Sequence, residues 1–340
     1  MPAIKSFIDK YIYHKQENVP PPITTNTATA LLIVYTLIYV VPFYLSPRTR
    51  PSPDLSRDAP SVIRARIASV TLTCVVCSAA TFYVLTNQGR APALDAAHLM
   101  GYLPVGLVEA GKTTLLTAIL FAGPLFEHLV VEGAWRDWLR LAPLRELFNE
   151  WTVWRNIGPV TEEVLFRSAA VPLMLLARTS IPKTIFLSPV IFGLAHVHHF
   201  YEFRITHRQV PLAAALARSA FQLAYTTLFG AYATFLFLRT GSLLAICLAH
   251  AFCNCMGLPR VWGRVQPPGG EGGDDDVAVA VAVAPREGGE RGGSATTAKR
   301  PTLLWTVAYY CLLVGGALTW YRNLWRLTTS PQALVPMDGW

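Results

Sequence analysis

Long apolar windows recur along this chain at about the length of a bilayer crossing, and that spacing leaves little choice of fold. They fall at 28–46, 66–87, 111–131, 157–177, 183–200, 211–238, 241–258 and 302–321, against the ~20 residues a helix needs to span hydrocarbon. The windows at 183–200 and 241–258 are short enough for helices buried or tilted inside a bundle. Only 15% of residues are charged, where a soluble domain carries about 25%. The mean hydropathy is +0.36. These features predict an all-α, polytopic transmembrane bundle of about eight helices.

Four units follow from the composition. Residues 1–27 form a polar N-terminal segment, and 28–258 a membrane domain that carries the reactive residues. Residues 259–301 form a polar loop, and 302–340 a final transmembrane helix and tail. Within the loop, Gly269-Gly270-Glu271-Gly272-Gly273, Asp274-Asp275-Asp276 and a Val-Ala alternation to Ala284 are low-complexity sequence, expected to be largely disordered. Residues 1–27 lack the basic-then-apolar pattern of a cleavable leader, so the first span is expected to act as the targeting signal.

The net charge of +8 does not point to nucleic acid, because the basic residues gather in alternate loops. Arg48, Arg50, Arg57, Arg64 and Arg66 follow the first span, Arg136, Arg140, Arg145 and Arg155 the third, and Arg260 and Arg264 the seventh. By the positive-inside bias these loops face the cytosol and the N-terminus lies outside, although Lys5, Lys10 and Lys15 oppose that orientation. Cys74 and Cys77 form a C-x-x-C in the middle of a span, where small polarizable packing is the expected role.

Three of the apolar windows contain ionisable or amide groups. The first reads Gly158-Pro159-Val160-Thr161-Glu162-Glu163-Val164-Leu165-Phe166-Arg167. An acidic group at bilayer depth costs roughly 2.5–3.5 kcal/mol even on the lenient insertion scale, so it persists mainly where it works. On a helix Glu163 and Arg167 are neighbours, acid before base, whereas Glu162 points about 100° away. This spacing makes Glu163 the structural partner of Arg167. It leaves Glu162 in drier surroundings, suited to general acid–base work. Pro159 is expected near the helix start.

The second window holds Phe192, His196, His198 and His199, with Phe192 one turn before His196 and His199 one turn after it. His196 is the deepest of the three histidines. The third holds His250 and Asn254, four apart and on one face. This pair is suited either to an interhelical polar clamp worth about 0.6 kcal/mol or to holding an oxyanion. Zinc is an alternative, with His196, His250 and a glutamate as three ligands, though no H-E-x-x-H is present. A serine route is weaker, since there is no G-x-S-x-G. A proton-coupled transporter using the same groups as a relay is the non-enzymatic alternative.

Glu162-Glu163-x-x-x-Arg167, Phe192-x-x-x-His196 and His250-x-x-x-Asn254, in that order across about 150–260, resemble the type II CAAX prenyl endopeptidases of the glutamate intramembrane protease family. The resemblance implies that Glu162 activates a water that His196 helps to hold. It implies that His250 and Asn254 stabilise the oxyanion, and that Glu163, Arg167, Phe192 and His199 support the site, with no metal or other cofactor. It further implies substrates that end in a prenylated cysteine and three residues, such as small GTPases, cut after the cysteine. The expected setting is the endoplasmic reticulum membrane, with lipid as a partner and the site open to the cytosol.

Overall fold

The computed structural model describes residues 20–50, 59–142, 150–265 and 303–335. The low-complexity stretch and most of the polar N-terminal segment lie outside these residues. Among the described residues every regular element is helical.

Helix α1 (Thr25–Val40) starts where the Thr24 hydroxyl accepts the Thr27 N–H, satisfying one of the unpaired donors of a helix start. Helix α2 (Pro60–Tyr83) opens on proline, whose missing N–H costs nothing there. It thus begins earlier than expected and takes Arg64 and Arg66 out of the loop. Helices α3 (Leu107–Leu120) and α4 (Ala122–Phe126) follow. Next come α5 (Glu150–Glu163), a π-helical turn (Val164–Ala169) and α6 (Ala170–Leu176). Then follow α7 (Ile181–Ala195), α8 (His198–Thr206), α9 (Leu212–Thr240), α10 (Leu243–Met256) and α11 (Leu303–Thr328). The Ser242 hydroxyl caps α10 by accepting the Ala245 N–H.

The α5–α6 rod is the axis of the bundle. Every residue of α6 is buried, and α1, α2, α7, α9 and α10 all contact the rod. One buried cluster joins α1 and α2 to it through Tyr35, Val70, Leu165 and Met174. A second joins α6 to α9 and α10 through Val171, Leu236 and Ile246. The periphery is apolar and exposed instead, as at Leu37, Leu72, Leu228 and Leu318, which is the surface of a protein solvated by lipid.

Among the described residues, four helices are long and apolar enough to cross a membrane, or five if a bent pair is one span. The chain is thus a multi-pass helical membrane bundle, and the expected count of eight is not confirmed. The window at 111–131 is interrupted, with α3 and the helix from Ala122 to Val131 meeting at 82°. The window at 183–200 breaks after Ala195, and α10 is only 14 residues long. The rod at 157–177 is shielded by its neighbours. Hydropathy registers apolar residues without distinguishing contact with lipid from contact with protein.

Pro159 is also displaced from expectation. It lies inside α5 rather than at its start. The Thr161 hydroxyl folds back onto the Ile157 and Gly158 carbonyls, and the π-turn begins directly after Glu163.

Candidate active site

Glu162 and Glu163 end α5, Arg167 sits in the π-turn, Phe192 and His196 end α7, and His250 and Asn254 occupy one face of α10. Glu163 is fully buried, and its Oε1 accepts from Arg167 Nη1 at 2.9 Å and from His250 Nδ1 at 2.6 Å. A second arginine donor, Nη2, reaches the Gly230 carbonyl at 3.2 Å. The π-turn does not separate Glu163 from Arg167; their four-residue pairing survives it.

With Nδ1–H committed to Glu163, the other nitrogen of His250 is turned towards the second glutamate. His250 Nε2 lies 3.8 Å from Glu162 Oε2. That separation is too long for a direct hydrogen bond. The Glu162 side chain is 23% exposed, against 0% for Glu163. The expectation that Glu162 is the drier of the two is therefore reversed. The i+4 partner drew Glu163 into the core along with its countercharge, and Glu162 keeps partial exposure.

Phe192 ties the three motifs together. Its buried ring lies 4.8 Å from the His196 ring and 6.5 Å from the His250 ring. The Arg167 guanidinium lies over it at 4.5 Å, a cation–π contact strengthened by desolvation. His196 Nδ1–H donates to the Phe192 carbonyl at 2.8 Å, so the Nε2 of the neutral ring is an acceptor. Asn254 lies one turn beyond His250 and is exposed.

Glycines set the approach of α9 to this group. A methyl on Gly193 would meet Thr227 Oγ1 at 2.3 Å, and one on Gly230 would meet Pro189 Cβ at 2.7 Å and Arg167 Nη2 at 3.1 Å. Helices this close need small residues at the crossing.

His199 belongs to an adjoining cluster. Its Nδ1–H donates to Glu202 Oε2 at 2.9 Å, while Arg66 Nη2 donates to Glu202 Oε1 at 2.8 Å. Among the described residues, the side chains placed so that they could share a metal ion are His198, His199 and Glu202, not the trio of His196, His250 and a glutamate. Arg66 and His199 already occupy the Glu202 carboxylate, so this cluster is built as an ion pair.

The residues sequence reasoning missed are Phe229, whose ring packs 4.4 Å from that of His250, and the Arg66–Glu202 pair. Glu202 stands three residues after His199, a spacing that signals a helical contact. The partner across 136 residues left no such mark.

A family model described as type II CAAX prenyl endopeptidase Rce1-like matches residues 151–256, the segment bearing all three motifs. The "Probable CAAX prenyl protease 2" of Schizosaccharomyces pombe is 41% identical over 68% of this chain and 81% of its own length. The "CAAX prenyl protease 2" of Arabidopsis thaliana is 35% identical over 71% and 83%, and that of Homo sapiens 38% over 63% and 67%. No solved structure matches. Identity of this extent, together with the family match across the clustered motifs, places the chain in the type II CAAX prenyl endopeptidase family.

Proposed function

We propose that this enzyme hydrolyses its peptide bond with a water held between Glu162 and His196, and that His250 and Asn254 receive the oxyanion. The protein is an endopeptidase that removes the C-terminal tripeptide from prenylated CAAX proteins. The proposal concerns how its side chains do so.

The observation that supports the mechanism is one imidazole set between the two glutamates, hydrogen-bonded to Glu163 and 3.8 Å from Glu162. With Glu163 holding Nδ1–H, a proton on Nε2 makes His250 an imidazolium. Nε2–H and the Asn254 carboxamide form a pair of donors for the tetrahedral oxygen. Glu162, partly exposed, takes the proton of the attacking water, which His196 helps to hold, and returns it to the leaving amine. Phe192 and Arg167 hold the rings in position.

The substrate's isoprenoid partitions into lipid at about 0.8 kcal/mol per buried methylene, so a site that lipid can reach from the side accepts prenyl group and peptide together. Basic loops after the first and third spans support a cytosolic opening. In that orientation we assign the protein to the endoplasmic reticulum membrane and its substrates to prenylated proteins such as small GTPases. The deciding experiment offers a farnesylated C-terminal peptide to purified wild type and to Glu162→Ala, with and without EDTA. Tripeptide release by wild type in both conditions, and none by the variant, is expected. Loss of activity to EDTA that zinc restores would replace this mechanism with a metal-dependent one.

A further inference from the structure

Helix α9 presents two distinct faces to the bundle. Thr227 and Gly230 lie against α7. Roughly 100° or more around the axis, Arg218, Gln222, Tyr225 and Phe229 recur at helical spacing and draw one stripe. All four are half-buried, whereas neighbouring Leu216, Phe221 and Leu228 are exposed. The stripe therefore runs between the exposed positions of α9 and its fully buried ones, Ala215, Thr226 and Gly230.

One end of the stripe is the active site, where the Phe229 ring touches that of His250 and lies 5.9 Å from the Arg167 guanidinium. At the other end the Arg218 guanidinium lies over the Phe203 ring of α8 at 4.5 Å. Tyr225, between them, is within electrostatic reach of both Arg218 and Glu162. A cation on the inner face of a spanning helix is costly and marks a functional position by default.

We infer that Arg218 binds the free α-carboxylate at the end of the substrate's last three residues, with Gln222 and Tyr225 lining the path back to the scissile bond. The inference rests on the endopeptidase reading above. Lengths support it. The eleven residues from Arg218 to Phe229 cover about 16 Å of helix axis, and an extended tripeptide covers about 10 Å. The arginine stem and one hydrogen bond account for the rest. A guanidinium also matches a carboxylate with two parallel hydrogen bonds. An anchor at this separation acts as a ruler, setting the register in which a chain end of three residues places its scissile carbonyl beside His250.

The test compares a farnesylated peptide bearing a free C-terminal carboxylate with the same peptide as a carboxamide, using full-length wild type, Arg218→Ala and Arg218→Lys. Wild type should favour the free acid by at least about tenfold in kcat/KM. Arg218→Ala should collapse that preference towards unity, chiefly through KM, and Arg218→Lys should keep part of it. A merely structural arginine would lower cleavage of both peptides alike and leave their ratio intact, which would overturn the proposal. Equal cleavage of acid and amide by wild type would overturn it without any variant, so a poorly folding Arg218→Ala does not block the test. Cleavage of neither peptide by wild type would instead refute the endopeptidase reading itself.

Discussion

His250 donates its Nδ1–H to Glu163 across 2.6 Å, on the same carboxylate oxygen that Arg167 reaches at 2.9 Å. Two adjacent, chemically identical residues are thereby given different work. Glu163 is spent on holding an imidazole and a guanidinium, while Glu162 keeps an open carboxylate beside the far edge of the same imidazole.

This division separates stability from chemistry. Glu163→Gln leaves Arg167 buried without its countercharge, a loss of about 3–5 kcal/mol for an ion pair broken on one side, and should lower both Tm and activity. Glu162→Gln should abolish tripeptide release with Tm close to wild type. Thermal unfolding in detergent, run beside a peptide-release assay, checks both. A large Tm loss in Glu162→Gln with little in Glu163→Gln would reverse the assignment.

Asn254 is expected to act on the transition state more than on the bound substrate. Removing one oxyanion donor typically costs about 10²–10³ in kcat, so Asn254→Ala should show a fall of that order with KM nearly unchanged. Steady-state kinetics on a farnesylated peptide measures it. A rise in KM at constant kcat would assign Asn254 to binding.

The α7–α9 crossing leaves no space for a methyl at Gly193, whose Cβ would sit 2.3 Å from Thr227 Oγ1. Gly193→Ala should destabilise by about 1–3 kcal/mol, as overpacking does, and should move His196, three residues along. Adding Thr227→Ala removes the clashing hydroxyl and should recover more than independent effects allow. Strict additivity would show that the two do not touch.

The Arg66–Glu202–His199 cluster sets an acid limit. Burial alone would push the Glu202 carboxyl up, but the His199 hydrogen bond and the Arg66 guanidinium outweigh it and hold the group well below the usual carboxylate range. A depressed carboxyl contributes stability above its unfolded value of about 4.3 and loses it as pH falls through the folded value. The Tm gap between wild type and Glu202→Gln should therefore stay constant from about pH 6 to 8 and narrow in acid below about pH 4. A gap that widens on acidification contradicts this sign.

Much of this arrangement is legible in the chain itself. The i,i+4 spacings of Glu163 with Arg167 and of Phe192 with His196 are local, and both contacts form. The meeting of His250 with Glu163, 87 positions apart, is not written in any spacing. It depends on how α10 docks on α5. The order of dryness of the two glutamates failed for the same reason: burial is decided by neighbours from distant helices. The helix count of eight is not confirmed among the described residues, because α5–α6 and α10 are apolar for contact with protein, while α3 and α4 divide a single apolar window at a sharp bend.

The π-turn at Val164–Ala169 makes the site sensitive to chain length rather than to side-chain identity alone. Its wider turn accommodates an additional residue between the paired glutamates and the buried rod of α6. Deleting one residue there would restore ordinary helix but withdraw the widened turn that carries Arg167, whereas an insertion beyond what the turn absorbs would swing α6 by about 100° against α5. An insertion or deletion within these six positions should consequently be more damaging than any conservative exchange at the same places.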